Sequence, residues 1–237
     1  MNCTNCNSNL HGEFCSNCGQ SQELKRINGQ YIFSEISSVL NFDKGILYTI
    51  KELLIRPGIS VRKFILEDRK RLVRPIIFII ITSLIYTIAQ QWLNFEDGYV
   101  NFSGEDDSAT VAIFSWIQKN YGYSNILMAI FIAFWIKVFF RKYDYNFFEI
   151  LILLCFVMGI GMLIYTAFAV FDNLTSLKTL QIGGIIGFLY SAWAIGRFFD
   201  KDKKINYLKG LVSYFLGFLT FSLGAIALGT LIDMVLK

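Results

Sequence analysis

The stretch FFEILILLCFVMGIGMLIYTAFAVF, residues 147–171, decides the fold of this chain. A helix needs about 20 apolar residues to cross the hydrocarbon core of a bilayer, which is about 30 Å thick. This run is long enough to do so. The whole chain of 237 residues is 54% hydrophobic, above the roughly 45–50% that is usual for soluble domains. We therefore expect an integral membrane protein.

Four further apolar runs predict four more membrane helices. They lie at about 75–94, 122–140, 179–199 and 208–235. We expect no cleavable signal peptide before them. A signal peptide needs a basic start and an early apolar stretch, whereas the first 30 residues of this chain are polar and rich in cysteine. The expected fold is an all-α, five-helix transmembrane bundle whose amino terminus stays in the compartment where the chain is made.

Basic residues predict how the bundle is oriented, because cytoplasmic loops of membrane proteins carry an excess of Lys and Arg. Nineteen of the 22 Lys and Arg residues fall before the first run or beside the segments 141–146 and 197–209. Only three fall on the opposite side: Lys119, Lys178 and Lys237. This distribution predicts a cytosolic amino terminus and an outside carboxyl terminus. We interpret the acidic outer segment 95–121 as a solvated loop, the alternative being a vestibule that collects cations.

Four cysteines near the amino terminus follow the pattern C-x2-C-x8-C-x2-C: Cys3, Cys6, Cys15 and Cys18. Two CxxC turns bring four thiolates around one ion in a tetrahedron, the geometry of structural zinc sites. A reducing cytosol disfavours two disulfides. We expect a small zinc ribbon that holds Zn²⁺ as a structural ion. A rubredoxin-like iron site and a redox dithiol pair are the alternatives.

The ribbon is too short to bury a core, so the metal would supply most of its folding energy. We interpret His11, the only histidine in the chain, as a turn residue rather than a ligand. No Lys or Arg precedes residue 25, and phosphate binding needs cations. We therefore expect no nucleic-acid partner; a cytosolic or membrane protein is the expected partner.

Residues 31–74, between the ribbon and the first span, have the pattern of short amphipathic helices. Apolar residues recur at helical spacing, and Pro57 ends one unit because it disfavours helical geometry in the preceding residue. Such helices lie in the headgroup plane of a membrane, where each Lys or Arg adds about 1 kcal/mol of attraction to anionic lipid. Packing on the cytosolic ends of the spans is expected equally, and the two arrangements are compatible with each other. The candidate headgroup-binding residues are Arg62, Lys63, Arg69, Lys70, Arg71 and Arg74.

Two stretches carry a resemblance to a known family: FCSNCGQ at 14–20 and FDKGILYTIKELLIRPG at 42–58. Together with the basic stretch that enters the first span, they resemble a bacterial family catalogued as domain of unknown function three-six-six-seven. The resemblance implies a bacterial inner-membrane protein and brings no assigned activity. We divide the chain into a zinc ribbon (1–22), a linker (23–30), cytosolic amphipathic helices (31–74) and the five-span transmembrane bundle (75–237).

Ionisable residues within membrane spans are functional candidates by default. Lys137 and Glu149 both lie near the cytosolic interface. We interpret them as a mutually paired, snorkelling set, with an intramembrane proton or substrate site as the alternative. We expect Asp172 to lie in a loop and Asp233 to pair with Lys237 at the outer surface.

Small residues four apart recur in the last two spans, and such spacing lets helices approach closely. We interpret them as packing within the bundle, with a homo-oligomer face as the alternative. The pairs are Gly183 and Gly187, Ala192 and Gly196, Ser213 and Gly217, and Ala225 and Gly229.

The cysteine motif, the amphipathic helices and the five spans together predict a membrane anchor. It would hold a zinc ribbon at the cytosolic surface as a protein-docking or regulatory module. A small transporter or channel with the ribbon as a regulatory cap is the alternative. No charge lies deep in the predicted spans, where transporters commonly place carboxylates or break their helices. An enzyme is the least favoured class, because no nucleophile–base set is visible.

Overall fold

The structure is a computed structural model that describes residues 3, 6, 8, 9, 15–18, 45–93, 108–175 and 179–236. The chain divides into two compact units, Met1–Asn41 and Phe42–Lys237. The described part of the second unit forms eight helices and contains no strand. They are α1 (Ile46–Ile55), α2 (Pro57–Leu66), α3 (Pro75–Leu93), α4 (Ala109–Lys119), α5 (Tyr121–Phe139), α6 (Phe147–Thr175), α7 (Leu180–Phe199) and α8 (Lys204–Leu236).

Five of these helices are long and apolar enough to cross a membrane: α3, α5, α6, α7 and α8. Their positions confirm the five predicted spans, and the chain is a multi-pass membrane protein by the length and composition of its helices. The predicted all-α bundle is therefore confirmed for the described residues. The predicted helical unit around residues 32–40 and the turn at His11 lie outside them.

Helix α6 forms the centre of the bundle. It spans 29 residues and packs against α3, α5 and α7 along its length, and against α1 and α2 at one end. Leu153, Leu154, Phe156 and Ile160 on this helix are fully buried. A helix that is apolar on every face is buried by its neighbours, so the run that predicted a span also builds the core.

Small residues on α8 allow close contact with α5. A Cβ added at Gly217 would lie 2.5 Å from the Cα of Ile132, closer than real Cβ contacts come. Ser213, one turn earlier, is fully buried. This confirms, at Gly217, the interpretation that small residues serve packing within the bundle.

The outer segment 95–121 is not entirely a loop, because α4 occupies Ala109–Lys119. The Ser108 hydroxyl accepts a hydrogen bond from the Val111 N–H at 3.2 Å, a helix N-cap. The Asp233 carboxylate of α8 accepts another from the Ala109 N–H at 2.7 Å. The loop prediction was wrong for these residues because a helix too short to span a membrane is stabilised here by packing on α8. Asp233 thus has an observed partner on α4, while Lys237 lies outside the described residues.

Asp172 lies within α6 and not in a loop, since that helix continues to Thr175. Its carboxylate accepts hydrogen bonds from the Thr179 N–H at 2.6 Å and the Leu180 N–H at 3.0 Å, and from the Thr179 hydroxyl. The amide groups at a helix N-terminus lack intrahelical partners and favour an anion. Asp172 therefore caps the start of α7 from the end of α6.

Candidate metal centre and the basic end of the bundle

The four amino-terminal cysteines lie together. Their sulfur atoms all fall within 4.8 Å of one another, and none of the four forms a disulfide. The Cys3 and Cys18 sulfurs are 3.5 Å apart, as are those of Cys6 and Cys15. Each close pair joins one CxxC turn to the other, so the two turns face each other across a common centre.

The spacing of the sulfurs suits a tetrahedral metal ion. Four thiolates at about 2.3 Å from a zinc ion lie about 3.8 Å from one another, whereas the sulfurs of a disulfide lie about 2.05 Å apart. The sulfur–sulfur distances of the cluster run from 3.5 Å to at most 4.8 Å, a range that includes the distance expected around zinc. Four soft thiolate donors can hold Zn²⁺ or an iron ion, and they leave no open coordination position for a substrate.

Ser8 favours the metal-binding form of Cys6. The pKa of the Cys6 thiol is lowered to about 6, first by a hydrogen bond with the Ser8 hydroxyl and then by one with the Ser8 backbone. The Cys6 Sγ and Ser8 Oγ atoms are 3.3 Å apart. The Cys3 N–H also donates to the Ser8 carbonyl at 2.9 Å. Since the thiolate is the metal ligand, this turn prepares Cys6 for an ion at neutral pH.

Helices α1 and α2 pack on one end of the bundle, where the α5–α6 and α7–α8 connections also meet. We call this the basic end, because it carries Arg62, Lys63 and the Lys and Arg residues of both connections. Phe64 of α2 contacts Phe156 of α6 edge-on, with ring centroids 5.5 Å apart. The Tyr190 hydroxyl of α7 donates to the Leu53 carbonyl of α1 at 3.0 Å. Of the two arrangements predicted for the amphipathic helices, packing on the ends of the spans is therefore observed.

The start of α2 meets the end of α7 at very short range. A Cβ added at Gly58 would lie 2.4 Å from both the Arg197 carbonyl carbon and the Phe198 amide nitrogen. The Arg62 guanidinium donates from Nε to the Phe198 carbonyl at 2.9 Å and from Nη2 to the Arg197 carbonyl at 3.3 Å. The last carbonyls of a helix have no intrahelical partner and attract cations. Arg62 therefore caps the carboxyl end of α7.

Glu52 joins the α1–α2 corner to the segment that leads into α3. Its carboxylate accepts from the Ser60 hydroxyl at 2.8 Å and from the Arg71 guanidinium at 3.3 Å. The Thr49 hydroxyl adds a second link, because it donates to the Gly45 carbonyl and accepts from the Val73 N–H, each at 3.0 Å. The corner is thus hydrogen-bonded on both sides.

The six candidate headgroup-binding residues have different surroundings. Arg62 and Arg71 are engaged with α7 and Glu52 respectively, and Lys63 is half-buried. The side chains of Arg69, Lys70 and Arg74 are exposed. Only these last three are fully presented to the surroundings of the protein.

Lys137 and Glu149 each have a partner of their own. The Lys137 ammonium donates to the Tyr145 carbonyl at 2.5 Å. Glu149 accepts from the Asn146 N–H at 2.8 Å, while the Asn146 side chain accepts from the Glu149 N–H at 2.9 Å. This reciprocal pattern is a capping box at the start of α6. Over 45–93, 108–175 and 179–236, no ion pair joins Lys137 to Glu149.

Three groups in the connections of the basic end have shifted pKa values. The Lys203 ammonium, 3.0 Å from the Asp200 carboxylate, lowers the pKa of that carboxyl, and the hydrogen bond with Asp200 raises the pKa of Lys203. Burial raises the pKa of the Tyr145 phenol. The α7–α8 connection thus contains an ion pair, and the α5–α6 connection contains a partly buried phenol.

Arg62 and Asp172 are the residues whose roles the sequence did not reveal. Arg62 caps a helix that is 136 residues away in the chain, so no local pattern marks its contact. For Asp172, a carboxylate a few residues before the next apolar run was the available signal.

No curated protein and no solved structure matches the chain. A family model does match part of it, at residues 43–87. That segment contains α1 and α2, which form the corner on the basic end, and the first three turns of α3. The family is described as Protein of unknown function (DUF3667), so residues 43–87 are similar to that domain, and the match confirms the resemblance carried by this stretch.

Proposed function

We propose that this chain is a membrane-anchored zinc-ribbon protein that docks or regulates a protein partner at the cytosolic face of a bacterial inner membrane. The observation that carries the proposal is the cluster of four thiols within 4.8 Å of one another. Such a cluster with all coordination positions filled is typical of structural zinc sites, which stabilise small recognition modules. Cys3, Cys6, Cys15 and Cys18 would hold the ion, which would cross-link the two CxxC turns.

The distribution of charge supports the orientation. The basic end carries the exposed Arg69, Lys70 and Arg74, together with the two basic connections. Excess Lys and Arg mark the cytoplasmic side, and exposed cations near the membrane surface attract anionic headgroups. In this proposal the anionic bilayer surface is a partner of these three residues.

The cysteine module precedes α1 in the chain, and α1 belongs to the basic end. The proposal therefore places the module in the cytosol. A second copy of the chain remains a further candidate partner.

A transporter of ions is less well supported. The described membrane helices contain a cavity, between α5 and α8, but none of the residues that line it is charged. Carriers of ions and charged solutes commonly bind them with charged or unwound segments at the midplane. The docking proposal needs no such site.

In-cell crosslinking tests the docking proposal. The wild-type chain and the Cys3→Ser/Cys6→Ser variant are crosslinked in cells, purified in mild detergent and compared by quantitative mass spectrometry. Cys155→Ser is the matched control, since Cys155 lies on α6 and is not a member of the cluster. We expect a protein that is captured by the wild type and by the control but not by the double variant. Identical captures from all three, at equal amounts in the membrane, would contradict the proposal.

A further inference from the structure

The membrane helices α5, α6, α7 and α8 line a cavity of about 250 Å³ that is partly open to the outside of the bundle. An apolar protein cavity of about 150 Å³ is already large enough to bind benzene. A short acyl segment has the size of this cavity, whereas a complete membrane lipid is larger. We propose that the cavity binds a neutral, lipid-soluble molecule that has an apolar chain and a carbonyl oxygen.

The walls of the cavity exclude a charged ligand. Met128, Met158, Met162 and Phe218 are among its apolar lining residues, and no Asp, Glu, Lys, Arg or His from the described part of the chain lines it. A charge without a partner in such surroundings is strongly destabilised relative to water. Flexible methionine side chains adapt to irregular apolar shapes. A neutral apolar body therefore fits these walls.

Asn125 supplies the polar contact. This residue of α5 lines the cavity, is only 4% exposed, and its amide nitrogen has no hydrogen-bond partner within the described residues. A buried donor that stays unpaired is costly. In this proposal the Asn125 amide nitrogen donates a hydrogen bond to an acceptor on the ligand. The carbonyl oxygen of an ester or amide is a neutral group that provides one.

The cavity lies within the spans, towards the end opposite the basic end. Asn125 lies four residues after the start of α5 and fourteen before its end, and Gly161 lies fourteen residues after the start of α6. At 1.5 Å per residue both are about 21 Å from the basic end, within a core that is about 30 Å thick. Phe215, which also lines the cavity, is 52% exposed on the outside of the bundle. The rim is therefore reached from the lipid phase.

Glycine at position 161 keeps the space open. A Cβ added there would meet no atom within 4 Å, so a larger side chain can enter the cavity without displacing its walls. Gly224 on α8 has the same free surroundings but does not line the cavity. The two positions form a matched pair for a test.

Photolabelling of the full chain in lipid nanodiscs tests the proposal. One acyl chain carrying a diazirine is supplied either as its neutral methyl ester or as phosphatidylglycerol, and adducts are mapped by mass spectrometry. We expect the methyl ester to label cavity residues such as Met158 and Met162, and the anionic lipid to leave them unlabelled. Gly161→Leu should reduce this labelling roughly tenfold or more, because leucine occupies the ligand's space.

Asn125→Leu should reduce labelling of the same residues roughly fivefold, the effect of losing one hydrogen bond. This variant also serves if Gly161→Leu does not give a monodisperse protein. Gly224→Leu should label like the wild type. The proposal is overturned if the cavity residues of the wild type take no label, as when water alone satisfies Asn125. It is equally overturned if Gly161→Leu and Asn125→Leu label like the wild type.

Discussion

Gly58 allows the α1–α2 corner to pack closely on the end of α7. The atoms that a Cβ would strike at 2.4 Å belong to the backbone of Arg197 and Phe198, which cannot rotate away as a side chain would. The stretch Arg56-Pro57-Gly58 therefore separates α1 from α2 and also forms a packing contact. Pro57 begins α2 and is buried, and the glycine that follows brings this helix against the end of α7.

We expect Gly58→Ala to destabilise the protein. In an open helix, alanine is favoured over glycine by about 1 kcal/mol, but overpacking of a tight contact costs about 1–3 kcal/mol. The cost of the clash exceeds the helix preference of alanine. We therefore predict that Gly58→Ala lowers the free energy of unfolding in detergent by about 1–2 kcal/mol. Gly224→Ala is the control, because its Cβ would meet nothing within 4 Å. Equal or greater stability of Gly58→Ala would show that the corner is not packed as described.

Both ends of α7 are stabilised by side chains of other helices. Arg62 of α2 caps the carboxyl end of α7, and Asp172 of α6 caps its amino end. A cation at the end of a helix and an anion at its start both oppose the helix dipole. Helix α7 therefore depends on two neighbours for both of its termini.

Arg62→Gln should weaken the end of α7. In a partly buried site, a cation at the carboxyl end of a helix contributes up to about 2 kcal/mol, so we predict a loss of about 1–2 kcal/mol in stability. The last turn of α7 should also exchange its amide hydrogens faster. Arg69→Gln, at an exposed position of the same basic segment, should change neither measurement. If both variants behave alike, Arg62 acts only as a surface charge.

The membrane spans could be predicted from the sequence because a bilayer selects on length and apolar composition, which both appear in a local window. The run 147–171 became α6 within four residues. Helix α4 could not be predicted in the same way, because packing against α8 and the hydrogen bond that the Ala109 N–H donates to Asp233 stabilise it. The cysteine cluster was predictable because its spacing is a local pattern. The cavity was not predictable, because residues from four helices, α5, α6, α7 and α8, line it together.

At the scale of the whole molecule, one end of the bundle gathers the corner of α1 and α2, both basic connections and most of the exposed cations. In the proposed orientation this end faces the cytosol, and α4 lies on the opposite side of the membrane. The module that precedes α1 then shares a compartment with soluble proteins, as docking requires.

Reporter fusions test this orientation. A reporter that is active only in the cytosol should be active when fused after residue 202, in the α7–α8 connection. A reporter that is active only outside the cytosol should be active when fused after residue 237. The prediction follows from the excess of Lys and Arg at the basic end. The reverse pattern would place the cysteine module outside the cytosol and remove the basis for a cytosolic partner.

The proposed docking module depends on one zinc ion held by the four cysteines. Elemental analysis of the full chain, purified in detergent without added metal, measures this most directly. We expect one zinc per chain in the wild type and in Cys155→Ser, and none in Cys3→Ser/Cys6→Ser, because two of the four ligands have been removed. Iron in place of zinc, no metal in the wild type, or undiminished zinc in the double variant would contradict it.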